Sequence, residues 1–365
     1  MEDFGFTNIR FSLGKGSFPS LPKDLVSPLT LSICIPTYNR ASFLEQAIES
    51  IFNQVDEKIK NRIEICISDN ASKDDTMEIV YKYKKNAIVP IIYSRNEENI
   101  GPDRNFLKVI GLAQGDYCWF LGDDDVLTRG SISRIFKEIE MGYDIYLCNR
   151  IEHDLISNLK KRRFWLSNQE EDRVFNLSNR DDLLIYLRKA TTLGALFSYI
   201  SSIIFRRNKW QNVKYEDLFT GTGYAHVFML LSFINQGCKL KYIQEPLVIC
   251  RLGNPGFADE GGFAKRVMLD IKGYQLLSER FFSKDPTIKE AFLEVLRRER
   301  PFHNIRIVRL NTNKEEWGSI EKILRKCNYN KIILFFTRYY NKQISIFLRG
   351  LKKIFKLLML LTVAL

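Results

Sequence analysis

The chain is poor in histidine, with three in 365 residues, and its seven cysteines (Cys34, Cys66, Cys118, Cys148, Cys238, Cys250, Cys327) form no C-x-x-C pair. Such scattered, odd-numbered cysteines support neither a zinc site nor a disulfide framework. Most lie in or beside apolar runs such as LSICIP and IEICIS, so they read as reduced, packed thiols of a cytosolic protein. No segment reaches the roughly 18 uncharged apolar residues that span a bilayer. The opening residues carry Glu2 and Asp3 and lack the apolar stretch of a secretory signal. There is no internal repeat, no low-complexity tract and no recognised nucleic-acid module, so nucleic acid is not expected as a partner.

What is present is a globular composition, 45% hydrophobic and 27% charged, with a net charge of +12. The position of that excess matters more than its size. Seven basic residues and no acid lie between Lys331 and Leu365, so more than half of the surplus is concentrated there. In this tail the cations alternate with Phe335, Phe336, Tyr339, Ile346, Phe347, Leu351 and Phe355. That is the pattern of a cationic amphipathic helix on an anionic membrane surface, with packing on the protein's own core as the alternative.

The pattern along the chain divides it into four parts. Residues 1–30, rich in Gly, Ser and Pro, read as a loosely ordered arm. Over residues 31–150 short apolar runs (LSICIP, IEICISDN, VPIIYSRN, YCWFLG) alternate with helical stretches near Ser42 to Asn53, Asp74 to Lys85 and Asn105 to Ala113. Long crossovers between apolar runs favour parallel pairing, so this part is expected to be a doubly wound α/β layer. The alternation weakens over residues 151–262. Residues 263–365 read as mostly helical, ending in the basic tail from about 331.

In a sheet of this kind ligands bind beyond the carboxyl ends of the strands. The polar residues after each run are therefore the first candidates. Asp123, Asp124 and Asp125 follow YCWFL directly. Adjacent carboxylates repel, and a cation or a basic side chain must compensate them; a divalent ion shared with substrate phosphates is one solution and a solvated acidic turn is the other. Asp69, after a second run, is placed at the same edge as an acceptor for a nucleobase or ribose, or as a turn residue.

Four ordered blocks, IPTYNR, ISDNASKDDT, NIGPDRNF and GDYCWFLGDDDVL, resemble the nucleotide-binding half of family 2 glycosyltransferases of the GT-A fold. More narrowly, GPDRNFL, DIYLCNR, FSYISS, HVFML, PLVICR and RERP resemble bacterial O-antigen abequosyltransferases. The resemblance implies a Rossmann-like α/β domain with a mixed, mostly parallel sheet, followed by a helical C-terminal region. It implies a CDP-sugar donor, Mn2+ or Mg2+, a polyprenyl-diphosphate-linked oligosaccharide acceptor and a place at the inner face of the bacterial inner membrane. The family motif reads Asp-x-Asp-Asp, and here Gly122 takes its first position and Asp123 its spacer. Asp124 is then the expected metal ligand, with Asp125 beside it. Family roles put base and ribose near Pro36, Thr37, Tyr38 and Asp69, and donor positioning on Asn99, Arg104 and Asn105. Arg251, ending PLVICR, is a candidate clamp for the departing diphosphate, or half of a structural ion pair.

On the acceptor side the chain departs from the family. Inverting members carry a Glu-Asp pair before a helix and a glycine, and counting back from Gly237 that place holds Ala225-His226. Imidazole suits proton transfer near neutrality, so His226 is the expected base. Glu216 and Asp217 are the carboxylates that could fold back instead, and retention or inversion stays open. A nucleotidyltransferase and a non-catalytic assembly protein are the rival readings. The first would usually show a glycine-rich phosphate loop, and IPTYNR has none.

Overall fold

The computed structural model describes residues 29–167, 170–252, 262–340 and 343. Nearly all of the expected N-terminal arm and the greater part of the basic tail therefore lie outside the described residues. Strand β1 (Leu31–Thr37) is buried along its whole length. Its side chains alternate: Leu31, Ile33 and Ile35 pack into one core and Cys34 into another on the opposite face. Such two-sided burial is what a central strand between helical layers requires. Helix α1 (Ala41–Phe52) buries Leu44, Ala47, Ile48 and Ile51, one stripe at helical spacing. The chain then returns as β2 (Ile63–Asp69), parallel to β1 with Thr37 level with Asp69.

The same unit repeats through α2 (Thr76–Lys85), β3 (Ile91–Arg95), α3 (Pro102–Gly111) and β4 (Tyr117–Phe120), and β4 lies parallel to β1 on its other side. Helix α3 begins three residues before the Asn105 expected from the sequence. Gly101, at φ +81°, turns the chain, and Pro102 fits the first turn, where its missing N–H is not needed. Asp103, Arg104 and Asn105 are thereby drawn into that first turn.

Beyond β4 come β5 (Asp125–Leu127), α4 (Ser131–Ile139), β6 (Ile145–Asp154), β7 (Lys160–Arg163), β8 (Arg173–Asn176), α5 (Arg180–Lys189), β9 (Ile203–Arg206), α6 (Arg207–Gln211), α7 (Ala225–Leu231) and β10 (Lys239–Leu252). The strands form one mixed sheet in the order β3-β2-β1-β4-β9-β6-β10-β5, with β7 on β6 and β8 on β10. Its longest ladders, β1 on β2 and β6 on β10, are parallel. Helices α8 (Gly262–Phe282), α9 (Pro286–Glu299), α10 (Phe302–Leu310), α11 (Lys314–Lys326) and α12 (Lys331–Arg338) follow. They pack on the face that carries Cys34, and one apolar cluster runs from Cys34 to Leu334.

Segments 31–150 and 151–252 thus share one sheet, and helices α8–α12 share its core. All seven cysteines are free, six of them buried, as packed thiols should be. No described helix is long and apolar enough to cross a membrane.

Candidate active site

Two loops at the carboxyl edge of the sheet are laced together. Asn39, in the left-handed region at φ +53°, donates its N–H to Ser72 Oγ at 2.9 Å and accepts from the Lys73 N–H at 2.7 Å. The Ala41 N–H donates to Asp74 Oδ2 at 2.9 Å. Asp69 is spent on this framework. Its carboxylate accepts from the Ser72 N–H and the Tyr93 hydroxyl, both at 2.8 Å, lies 3.5 Å from Arg95 Nε, and has no solvent exposure. The expected contact from Asp69 to base or ribose is therefore corrected: burial and internal partners make it a loop anchor. Pro36 is buried in β1, and the Thr37 hydroxyl is buried without a hydrogen-bond partner. Tyr38, 37% exposed, keeps a ring surface open at this edge.

A chain of amides ties α3 to the end of β2. Asn105 accepts from Ser68 Oγ at 2.8 Å and donates to the Ser68 carbonyl at 2.9 Å, while Asn96 donates to Asn70 at 2.9 Å and to Asn105 at 3.2 Å. Asn70 donates to Asn99 Oδ1 at 2.8 Å. Asn105 is buried and positional, Asn99 is exposed at the rim, and Arg104 points outward from the first turn of α3.

The three aspartates do not act alike. A Cβ on Gly122 would stand 3.1 Å from both Asp124 Oδ1 and Asp125 Oδ2 and 3.3 Å from Ser201 Oγ. The first motif position is glycine because the turn is closed against itself there. Asp125 faces inward, accepting from the Tyr199 hydroxyl at 2.7 Å and from Ser201 Oγ. Asp123 accepts from the Tyr38 N–H at 3.4 Å and from Arg40 Nη1 at 3.2 Å. Asp124 accepts from the same Nη1 at 2.5 Å, with its side chain 27% exposed. Burial, partly opposed by Arg40, holds the Asp123 carboxyl above its ordinary range; burial and then the charge of Asp124 do the same to Asp125. Arg40 is the residue that sequence reasoning missed, although its place at the polar end of IPTYNR marked it as a cation at the right edge.

Arg251 is not an open clamp. Its Nε donates to the Asp124 carbonyl at 2.5 Å, Nη1 to Gln46 at 2.6 Å and Nη2 to the Phe43 carbonyl at 3.2 Å, with the Phe43 ring 4.8 Å away. The residue is 6% exposed, and burial lowers its pKa against the pull of the aspartates. It braces the aspartate turn on α1. Arg150 lies 4.6 Å from the Trp165 ring and 4.4 Å from the Tyr199 ring and shares the Asp125 neighbourhood.

Among the described residues no three His, Cys, Asp or Glu side chains form a group that could hold a metal. The fit to Mn2+ or Mg2+ is of another kind. Asp124 offers a hard oxygen at a partly open edge with the buried Asp123 beside it, and a guanidinium nitrogen already lies on both as the neutralising cation. One or two carboxylates completed by substrate phosphates are what these ions ordinarily take. Asp125, sealed by Tyr199 and Ser201, is corrected from metal ligand to support.

His226 is corrected as well. At 1% exposure its Nε2–H donates to the Phe197 carbonyl at 3.0 Å, and the Phe106 and Phe120 ring centroids lie 5.3 and 6.4 Å away. Nδ1 is buried without a partner, and burial drives the imidazole pKa down to about 4. A ring so enclosed does not meet an acceptor hydroxyl. The start of α7 is held by Asp103, which accepts from the Gly223 N–H at 2.9 Å and the Ala225 N–H at 3.0 Å. Glu216 pairs with Arg280 at 2.6 Å, and Asp217 is exposed at the rim.

Carboxylates at the carboxyl edge of the sheet, between two laced loops, stand where α/β sheets of this kind bind their ligands. Residues 32–199 match the model of glycosyl transferase family 2. The chain is 41% identical to abequosyltransferase RfbV of Salmonella typhimurium, over 90% of this chain and all of that one. It is 31% identical to a GalNAc(5)-diNAcBac-PP-undecaprenol beta-1,3-glucosyltransferase of Campylobacter jejuni, over 52% of this chain and 56% of that one. In fold it is similar to S. aureus TarS 1-349 in complex with UDP-GlcNAc, with TM-score 0.61 and 14% identity over 82% of each chain. It is also similar to the mannosyltransferase PcManGT from Pyrobaculum calidifontis in complex with GDP-Man and Mn2+, with TM-score 0.50 and 15% identity over 88% of each. The chain belongs to glycosyl transferase family 2 and is a glycosyltransferase with a GT-A-like sheet.

Proposed function

We propose that the enzyme moves a 3,6-dideoxyhexose, abequose, from a CDP donor to a mannose hydroxyl of a polyprenyl-diphosphate-linked O-antigen unit, at the cytoplasmic face of the inner membrane. The end-to-end relation to abequosyltransferase RfbV carries this reading. Family membership sets aside the nucleotidyltransferase and the non-catalytic assembly protein.

The site supports the chemistry. Tyr38 offers a ring face to the base, and Thr37, buried beside it, supports the Asp123 carboxyl. Asp124, with Asp123, would hold Mn2+ or Mg2+, whose charge neutralises the diphosphate as it departs. Arg40, already on both carboxylates, is placed to turn its guanidinium to the diphosphate when the donor arrives. Arg251 keeps the turn from moving. Arg104, exposed in the first turn of α3, is a further cation for donor positioning. The basic tail from about 331 is assigned to the anionic membrane surface. Helix α12 leaves Ile332, Phe335 and Phe336 exposed, as is Tyr339 just after it, while Leu334 anchors the helix to the core.

The test supplies CDP-abequose and UDP- and GDP-sugars with a mannose-bearing lipid-linked acceptor and follows nucleotide release. Release of CDP alone, dependent on acceptor, is the expected result. Turnover with a UDP- or GDP-sugar and none with CDP-abequose overturns the donor assignment.

A further inference from the structure

Strands β6 and β7 form a hairpin whose tip is apolar and whose return strand is basic. Leu155, Ile156 and Leu159 are 45%, 88% and 70% exposed, and Lys160, Lys161, Arg162 and Arg163 follow immediately. This display is not the accident of a loose loop. Asp154 accepts from the Ile156 N–H at 2.9 Å and from Ser157 Oγ at 2.7 Å, its own N–H donates to the Leu159 carbonyl at 2.9 Å, and His153 bonds Asn158 at 2.8 Å. Arg163 is held by Glu152 at 2.6 Å, whereas Lys160, Lys161 and Arg162 make no ion pair among the described residues. An ordered turn that spends its hydrogen bonds on presenting three large aliphatic side chains to water loses hydrophobic free energy unless something covers them.

The hairpin's position is equally specific. Strands β4 and β6 each pair antiparallel with β9, so they run in the same direction, and β4 is parallel to β1. The carboxyl end of β6 therefore lies at the edge that carries the aspartates. In register, Glu152 of β6 stands opposite Cys250 of β10, and Cys250 stands opposite Asp125. The hairpin projects onward from that row, beyond the site.

We propose that the β6–β7 hairpin is a membrane-interface anchor for an anionic bilayer. Leu155, Ile156 and Leu159 enter the boundary between headgroups and acyl chains, and Lys160, Lys161 and Arg162 lie on lipid phosphates. Apolar residues at the tip with a run of cations just behind them are the arrangement that interfacial binding uses. Charge complementarity selects the lipid surface over an apolar protein partner, since three unpaired cations within three positions would oppose a dry contact. The consequence is orientation: the site faces the bilayer, where a lipid-linked acceptor would be presented. That purpose rests on the proposed acceptor, but the anchoring itself does not.

The full chain carrying Ile156→Trp tests it, because the four native tryptophans are buried and the new indole reports the hairpin alone. Mixed phosphatidylglycerol/phosphatidylcholine vesicles should shift its emission to the blue and pure phosphatidylcholine vesicles should not. Adding Lys160→Gln and Lys161→Gln, which removes two cations, should weaken partitioning about thirtyfold, from about 1 kcal/mol per cation at the surface. CDP binding should be unchanged in every variant, so a failure of the donor reading shows up separately. Unshifted emission in protein that pellets with vesicles, or no vesicle binding at all, overturns the proposal. A shift that follows protein concentration without lipid also overturns it and assigns the patch to a second copy of the chain.

Discussion

A single nitrogen, Arg40 Nη1, lies 2.5 Å from Asp124 Oδ2 and 3.2 Å from Asp123 Oδ1. One guanidinium thus compensates both Asp123 and Asp124, and Asp124 is the residue on which the family reading puts a divalent ion. Cation and guanidinium compete for the same charge.

From this competition it follows that Arg40→Gln should be destabilised by about 1–3 kcal/mol without metal, less than a fully buried pair because both side chains are part-exposed. Mn2+ should restore more of its melting temperature than it adds to the wild type. Melting curves with and without Mn2+ measure this, and equal metal shifts in the two proteins would contradict the competition.

Gly122→Asp recreates the family motif on paper. The structure allows no Cβ there without crowding Asp124, Asp125 and Ser201. The variant should lose about 1–3 kcal/mol of stability, the usual cost of overpacking, and gain no transfer activity. Urea denaturation together with a transfer assay checks both halves.

Arg251→Ala should act on stability before it acts on donor affinity, because all three guanidinium nitrogens are bonded to the protein. A loss of about 3 kcal/mol is expected for a buried cation removed from its partners. If stability is intact and the KM for donor rises, Arg251 is a clamp after all.

His226 ties stability to pH. Its folded pKa is about 4 and that of an unfolded chain about 6.5, so between those values the unfolded state binds the extra proton. The contribution is complete above about 6.5 and is lost progressively as pH falls toward 4, by about 3 kcal/mol in all. His226→Gln should remove this slope. Denaturation midpoints at pH 5 and pH 7 compare the two proteins, and identical slopes would mean that the imidazole is not held neutral.

The carboxyl edge was readable from the sequence because it follows from strand order: apolar runs with long crossovers give parallel neighbours, and the polar residues after them share an edge. Asp123 and Asp124 were placed at that edge in this way, whereas Gly122 stood out only against the family motif. What one chain position cannot reveal is who neutralises whom. Arg40 meets Asp124 across 84 residues, and Asp69 is sealed by Tyr93 and Arg95 of the next strand. The burial of His226 is set by Phe106 from α3 and Phe120 from β4, elements far away in sequence. For Arg251 the obstacle is the bulge around Pro246, where the β6–β10 register shifts twice. Alternation can no longer be counted through it, so the side chain's direction is lost to pattern reading.

The most direct measurement of the central claim is calorimetric titration of CDP into wild type and Asp124→Asn, each with Mn2+ and with chelator. The account predicts that Mn2+ tightens CDP binding to the wild type at least tenfold and leaves Asp124→Asn at its chelated affinity. Equal CDP affinity in all four experiments would contradict it.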